Sequence, residues 1–336
     1  MSNFALRRLA ASSLRLGLVG ALVGLSGCQY QSKKEIYYLI SNNQKLPYWK
    51  TVSAGFTKAA NEYGVTGNIV GPDNFDPQAE LDSFTKVVNS NPAGVLISVA
   101  DSNLLRPEIN SAIEAGVPVI TVDSDAPTSN RLYFIGTNNL EAGHLGGQRL
   151  VDKLHGKGNV VFFTIAGQPN LEERLKGYEE IIARSPEIKI ADIFDTKGDA
   201  GTAFDQTEKY MAKTGADKID AFVCLESAAG NAIAEVLKRK NATDRTVIAM
   251  DVDSETLQLI KDGSIEATVS QKPFTMGYVG LKALDEIHHY QPKPFLNNYA
   301  VNSFSPYPVF VDTGTAIVDK INVDIYLASS AAAQGK

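Results

Sequence analysis

Short, almost wholly apolar runs alternate with amphipathic stretches of helical period over most of this chain. The runs IYYLI (36–40), GNIVG (67–71), GVLISVA (94–100), VITVD (119–123), YFIGT (133–137), NVVFFTIA (159–166), IKIADIF (188–194), AFVCLE (221–226), VIAMD (247–251) and EATVS (266–270) predict buried strands. Between them, apolar residues recur with a period near 3.6. This predicts helices over 48–63, 77–89, 104–115, 140–155, 171–185, 202–213, 228–239, 255–262 and 276–290. Asp76 reads as a helix cap, with Pro77 in the first turn. Strand and helix in alternation predict an α/β fold with parallel sheets covered on both faces. Residues 291–308, rich in Pro, Asn and aromatics, read as a loop returning to a late strand, PVFVDTG (308–314). The Ala/Ser-rich end, 328–336, reads as a frayed tail.

One layout occurs twice. GVLISVA, a helix and VITVD form one strand–helix–strand unit; AFVCLE, a helix and VIAMD form the other. Each closes on an aspartate, Asp123 and Asp251, 128 positions apart. In open parallel sheets, ligands bind beyond the carboxyl ends of the strands. Two similar lobes, each bringing an aspartate to that edge, are therefore expected to face each other across a cleft and grip a small polyhydroxylated molecule.

The first residues bear on location. Arg7, Arg8 and Arg15 precede a short apolar run, 16–25, and then Leu25-Ser26-Gly27-Cys28. A basic start, a short apolar segment and small residues describe an export signal over 1–27. The apolar run is too short to span a bilayer. Cys28 after Leu-Ser-Gly resembles a bacterial lipobox, so lipid on Cys28 and a tether over 28–35 are expected. Loss of 1–27 removes three Arg and no acid, moving the formal charge from −6 to −9. So acidic a chain is a poor partner for nucleic acid, whose affinity comes from neutralised phosphates.

Chemistry is sparse. Cys224 lies inside an apolar strand and reads as a small hydrophobe. No His sits in a cluster with zinc spacing, and the adjacent His288 and His289 point to different sides of a helix, so neither metal nor cofactor is expected. No Gly-x-Ser-x-Gly elbow, His-Glu-x-x-His or phosphate loop is present. Gly143, Gly146 and Gly147 fall inside a helical pattern and read as helix packing. Asp123 and Asp251 form a carboxylate pair that a glycosidase also needs, but two lobes without a nucleophile motif favour binding over catalysis. Pro47-Tyr48-Trp49, with the only Trp of the chain, follows the first strand and supplies aromatic faces for the C–H side of a sugar.

Together, Pro47-Tyr48-Trp49, VITVDSDAP, FIGTNNLEAG (134–143), EERLKGY (172–178), VIAMD and EATVSQKP (266–273) resemble the periplasmic sugar-binding proteins of ABC importers, ribose-binding type, which share their core with LacI-like repressors. The resemblance covers roughly 36–324. It implies a periplasmic-binding-protein-like fold, two Rossmann-like lobes with parallel sheets joined by a three-segment hinge. The crossings are expected near Thr137-Asn138, near Gln271-Lys272 and near 309–313. The lobes are then 36–137 plus 272–309 and 138–271 plus 310–327. Carried over by position, Tyr48 and Trp49 sandwich the sugar ring, Asp123 and Asp251 take hydroxyl pairs, and Gln271, Asn42 and Asn170 add contacts. Ribose binders carry Arg where this chain has Ser124 and Glu172, and Asn where it has Glu226. The resemblance thus implies a site more acidic and less basic than a ribose site, with Glu172 and Glu226 as further contacts. That suits another aldose, a polyol or a ligand with cationic character.

The implied role is a monomeric, exported, lipid-anchored solute-binding protein that delivers a monosaccharide or polyol to an ABC permease. A receptor reporting a sugar or autoinducer-like ligand for chemotaxis or signalling is the alternative, and an envelope glycoside-active enzyme a third. A repressor is disfavoured, because an export signal is expected where a DNA-binding helix-turn-helix would be.

Overall fold

The computed structural model describes residues 31–290 and 305–333. Ten strands and nine helices alternate before the gap: β1 (Ile36–Ile40), α1 (Pro47–Tyr63), β2 (Thr66–Val70), α2 (Pro77–Val88), β3 (Gly94–Ile97), α3 (Ser102–Glu114), β4 (Val119–Val122), β5 (Phe134–Gly136), α4 (Asn139–Leu154), β6 (Lys157–Thr164), α5 (Pro169–Ile182), β7 (Glu187–Asp195), α6 (Ala200–Met211), β8 (Ala221–Cys224), α7 (Ala229–Arg239), β9 (Thr246–Met250), α8 (Ser254–Asp262), β10 (Ala267–Ser270) and α9 (Pro273–Tyr290). After it come β11 (Phe310–Asp312), β12 (Ala316–Asp319) and α10 (Val323–Ala333).

These strands form two six-stranded sheets, ordered β11-β5-β4-β3-β1-β2 and β12-β10-β9-β8-β6-β7. The two orders superpose strand for strand. Both follow the doubly wound order 2-1-3-4-5, which opens a crevice at the carboxyl edge beside the first strand. Every pair in the first sheet is parallel. In the second, only β12 runs antiparallel, against β10. Strands β3, β4, β8, β9 and β10 are buried along their whole length, which explains why β3, β4, β8 and β9 are almost wholly apolar.

Local chemistry fixes the helix starts. Asp76, Asp101, Asp199 and Asp253 each cap a helix by accepting from backbone N–H groups of the first turn, a contact worth about 1 kcal/mol. The helices that leave β5 and β10 cross to the other lobe, and glycines let them pack closely there. A Cβ on Gly277 of α9 would collide with the Val52 carbonyl oxygen of α1; one on Gly143 of α4 would collide with the Arg174 carbonyl oxygen of α5. The packing role expected for Gly143 is thus explained.

Three segments connect the sheets, at 137–138, 271–272 and 313–315. They are tied to one another. Thr137 Oγ1 donates to Gln271 Oε1 at 2.8 Å, Thr313 Oγ1 to the Gly136 carbonyl at 3.0 Å, and Thr315 Oγ1 to the Ser270 carbonyl at 2.8 Å.

Four expectations need correction. Strand Phe310–Asp312 pairs with β5 in the first sheet, so the lobe boundary drawn at 309/310 falls before it rather than after. The sequence AIVD was not read as a strand, because a short edge strand, half-buried over its first two residues, carries little periodicity. The end read as frayed from 328 is helical to Ala333. The described part of the tether, 31–35, is docked on the first lobe: Gln31 Nε2 donates to Asp285 Oδ2 at 3.0 Å and Lys33 Nζ to the Val65 carbonyl at 2.9 Å. Cys28 lies outside the described residues. In the same region His289 lies with Glu35 and Asp285, their ligating atoms all within 4.8 Å. Asp285 also accepts from Tyr37 and Gln31, so the trio closes as an internal hydrogen-bonded network.

Candidate functional site

Both duplicated aspartates stand one residue past a strand's carboxyl end in the left-handed backbone region, Asp123 at φ 63° and Asp251 at φ 71°. Few residues other than Gly visit that region, Asn and Asp chief among them. In each lobe the aspartate N–H donates to the adjacent strand, Asp123 to the Ile135 carbonyl and Asp251 to that of Val269. The turn aims both side chains off the sheet edge into one cavity between the lobes. About 450 Å³ of empty space, part of it open to solvent, lies there. Its lining includes Asn42, Tyr48, Trp49, Asp123, Asn170, Glu226, Asp251 and Gln271. The sequence thus named eight residues that the fold brings together. Glu172, the ninth, is exposed and outside the cavity. At about 100° per residue it points away from the face of α5 that carries Asn170 and Arg174.

The polar network spans both lobes. Tyr48 Oη donates to Asp123 Oδ1 at 2.6 Å. Ser98 Oγ and, from the second lobe, Asn170 Nδ2 approach Asp123 Oδ2 at 3.4 Å each. Asn42 Nδ2 lies 3.4 Å from Ser98 Oγ. Gln271 Nε2 donates to Asp251 Oδ1 at 2.9 Å while its Oε1 accepts from Thr137, so this amide links two crossings to the second aspartate. Asp123 thus has one oxygen held at 2.6 Å and one by two contacts of 3.4 Å, and Asp251 one oxygen held at 2.9 Å, so each aspartate keeps acceptor capacity towards the cavity. Glu226 accepts from the N–H groups of Ala228 and Ala229 at the start of α7 and still lines the cavity.

Arg174 is the residue the sequence reading passed over. It is 2 % exposed and lines the cavity. Its Nη1 donates to the Leu225 carbonyl and its Nη2 to Asn139 Oδ1 at 2.7 Å. The signal was its spacing: Asn170, Arg174, Gly177, Tyr178 and Ile181 repeat as the buried face of α5. The site is acidic, but it has a buried counter-cation. Asn43, Phe75 and Gln168 also line the cavity and were missed, since loop residues carry no period.

Burial dominates the electrostatics. It pushes the Asp251 carboxyl up to about 7; Gln271 and Arg174 oppose the rise, while Asp123 and Asp253 add to it. Burial likewise raises Glu226 to about 7, against the Ala228 and Ala229 N–H groups and Arg174. Asp123 is raised for the same reason, offset by the Tyr48 hydrogen bond and by Arg174. Burial, then the charges of Asp123 and Asp251, hold the Tyr48 phenol well above its usual range.

The aromatic pair differs from expectation. The Tyr48 and Trp49 rings meet edge to face, centroids 5.4 Å apart and planes at 83°. Perpendicular rings do not make the two parallel walls of a sandwich. Trp49 is 3 % exposed and belongs to the first lobe's core while touching the cavity.

Residues 36–289 match the family model described as periplasmic binding protein domain. The D-allose-binding periplasmic protein of Escherichia coli is 24 % identical over 277 residues, covering 79 % of this chain and 88 % of that protein. The ribose import binding protein of Bacillus subtilis is 26 % identical over 248 residues, covering 72 % and 78 %. Among solved structures, a sugar-binding protein of a sugar ABC transporter from Bacillus halodurans is 31 % identical with a TM-score of 0.76, covering 87 % of this chain and all of that one. An ABC transporter solute-binding protein from Burkholderia graminis, in complex with D-arabinose, is 26 % identical with a TM-score of 0.77, covering 87 % and 97 %. The chain belongs to the periplasmic binding protein domain family.

Proposed function

We propose that this chain is a solute-binding protein that closes its two lobes on one monosaccharide or polyol and presents it to the membrane subunits of an ABC importer. The observation that carries the reading is a set of buried polar atoms without partners around one cavity: Asn43 Oδ1, Asn170 Oδ1 and Arg174 Nε. A buried polar atom left unpaired costs about 1–3 kcal/mol. Three of them on residues that line one cavity, beside Asp251 with an oxygen unbonded among the described residues and Asp123 with one held only by 3.4 Å contacts, suit a molecule rich in hydroxyls. A hydroxyl both donates and accepts, so a sugar serves Arg174 and the carboxylates alike. An anionic ligand would face Asp123, Asp251 and Glu226 with only Arg174 in its favour. Relatives named for allose and ribose, and a similar structure in complex with D-arabinose, support the same class.

The same geometry supports capture without turnover. The aspartates are held as acceptors by Tyr48 and Gln271, and the tied crossings suit a hinge. The proposed setting is the cell envelope, after export, as a monomer with lipid on Cys28 and no cofactor. A thermal-shift panel of aldopentoses, aldohexoses and polyols, followed by calorimetry, tests the reading. One sugar class should raise Tm and bind one to one, with a saturable change in the fluorescence of Trp49. A panel in which no sugar or polyol binds at millimolar concentration would overturn it.

A further inference from the structure

We infer that the Tyr48 hydroxyl sets which sugars this cleft accepts, by occupying one of the two acceptor oxygens of Asp123 and so weakening it for the ligand. The inference rests on the proposed capture of a sugar and names the kind of sugar. At 2.6 Å, the Tyr48 Oη to Asp123 Oδ1 contact lies in the short range of charge-assisted O–H···O⁻ bonds. The other atom in reach of the hydroxyl is Met276 Sδ at 3.3 Å, a weak acceptor. The single phenolic proton therefore stays directed at Asp123, and burial, then the charges of Asp123 and Asp251, keeps Tyr48 from ionising. Asp123 Oδ2 is different. Its two contacts, from Ser98 and Asn170, are both 3.4 Å long, so a ligand hydroxyl at ordinary distance displaces them readily.

The second lobe repeats the scheme. Asp251 Oδ1 accepts from Gln271 at 2.9 Å, and among the described residues its Oδ2 has no hydrogen-bond partner. Each lobe thus offers one carboxylate oxygen unburdened by a strong protein donor, whereas gripping a vicinal diol takes both oxygens of one carboxylate. On the Asp123 side, a second hydroxyl of the ligand has to share Oδ1 with the Tyr48 proton or turn to the neutral phenolic oxygen, and either is a weaker acceptor than an unshared carboxylate oxygen. The cleft gains little from that hydroxyl and accepts a sugar lacking it. The ligand class is a sugar that presents one donor, and not a diol, to Asp123, as a deoxy sugar does.

Tyr48→Phe keeps the ring and removes the oxygen. It leaves Asp123 Oδ1 without a donor, and a site with an unpaired buried polar group rejects ligands that fail to fill it. Wild type and Tyr48→Phe are titrated calorimetrically with pairs differing by one hydroxyl: ribose and 2-deoxyribose, galactose and fucose, mannose and rhamnose, glucose and 2-deoxyglucose. Thermal unfolding checks that both are folded. In at least one pair, wild type should bind both members within about threefold. Tyr48→Phe should separate them by tenfold or more in favour of the hydroxylated member, about 1.4 kcal/mol. If Tyr48→Phe changes every affinity by the same factor, only the ring matters and the inference is wrong while the capture of sugar stands. If wild type binds no sugar or polyol, both fall.

Discussion

Asp251→Asn should make the protein more stable and a poorer binder at once. In the fold, burial raises the Asp251 carboxyl from an ordinary 3.8 to about 7. An acid whose pKa is raised by folding holds its proton more tightly folded than unfolded. It is neutral in both states below pH 4, and it costs stability progressively as pH rises from about 4 to about 7. The full cost above both values is up to about 4 kcal/mol at 1.36 kcal/mol for each pH unit between them. Opening of the lobes rehydrates the group and recovers part of this, so a gain of about 1–3 kcal/mol is expected near pH 8. That is roughly 2–10 °C in Tm for lobes of ordinary size. The gain should shrink towards pH 5. Asparagine keeps the acceptor for Gln271 Nε2, so the crossing stays tied. What is lost is the second carboxylate oxygen, whose charge-assisted bond to a ligand hydroxyl is worth about 1.5–3 kcal/mol, or tenfold to a hundredfold in Kd. Thermal unfolding from pH 5 to 8 and calorimetry on the same samples measure both. A variant that binds as tightly as wild type, or that gains no stability at pH 8 over pH 5, would refute the placement of this carboxylate in a dry cleft.

Arg174→Lys should abolish detectable sugar binding, since one ammonium cannot reach Leu225, Asn139 and the cavity together as the guanidinium does; titration of the folded variant checks this, and wild-type affinity would contradict it. Gly277→Ala should lower Tm by several degrees, because its Cβ would meet the Val52 carbonyl, whereas Gly116→Ala in an exposed turn, with nothing near its Cβ but a positive φ of 86°, should cost less. Cys28→Ala should shift the protein from the membrane to the soluble envelope fraction or leave it unprocessed, and equal membrane association of variant and wild type would dismiss the lipid.

The parts legible in the sequence are those whose physics is local or repeated. Strands β3, β4, β8 and β9 are buried on both faces, so their apolar runs stand out. Asp123 and Asp251 could be found because the same strand–helix–strand unit ends on each. Arg174 was hidden because a charged residue on a helix is usually solvated, and its burial comes from a face of α5 whose partners lie on α4 and α7's approach loop rather than in its own sequence. Glu172 was misplaced by the converse error: a position matched along the chain, two residues from both Asn170 and Arg174, lands on the opposite side of the helix. The mutual angle of Tyr48 and Trp49 was not legible at all, since adjacent residues at a helix start fix neither χ1 nor the wall each ring faces.

The backbone at the two aspartates explains why aspartate suits both positions. A left-handed residue directly after a strand costs energy for anything but Gly, and less for Asp or Asn. Glycine would relieve the strain but offer the ligand nothing. Aspartate accepts the conformation and turns a carboxylate off the sheet edge into the crevice, and it does so once per lobe, at φ 63° and 71°. Because the two lobes are separate bodies joined by tied crossings, neither carboxylate alone encloses a ligand; the strain becomes useful only when both point into the same space. It follows that Asp123→Gly and Asp251→Gly should each stabilise the isolated fold slightly while removing one wall of hydrogen bonds. A gain in Tm accompanied by loss of ligand-induced compaction in small-angle scattering would match this account. A loss in Tm on both substitutions would mean that the aspartates, through Asn170 and Gln271, hold the lobes together more than they hold a ligand.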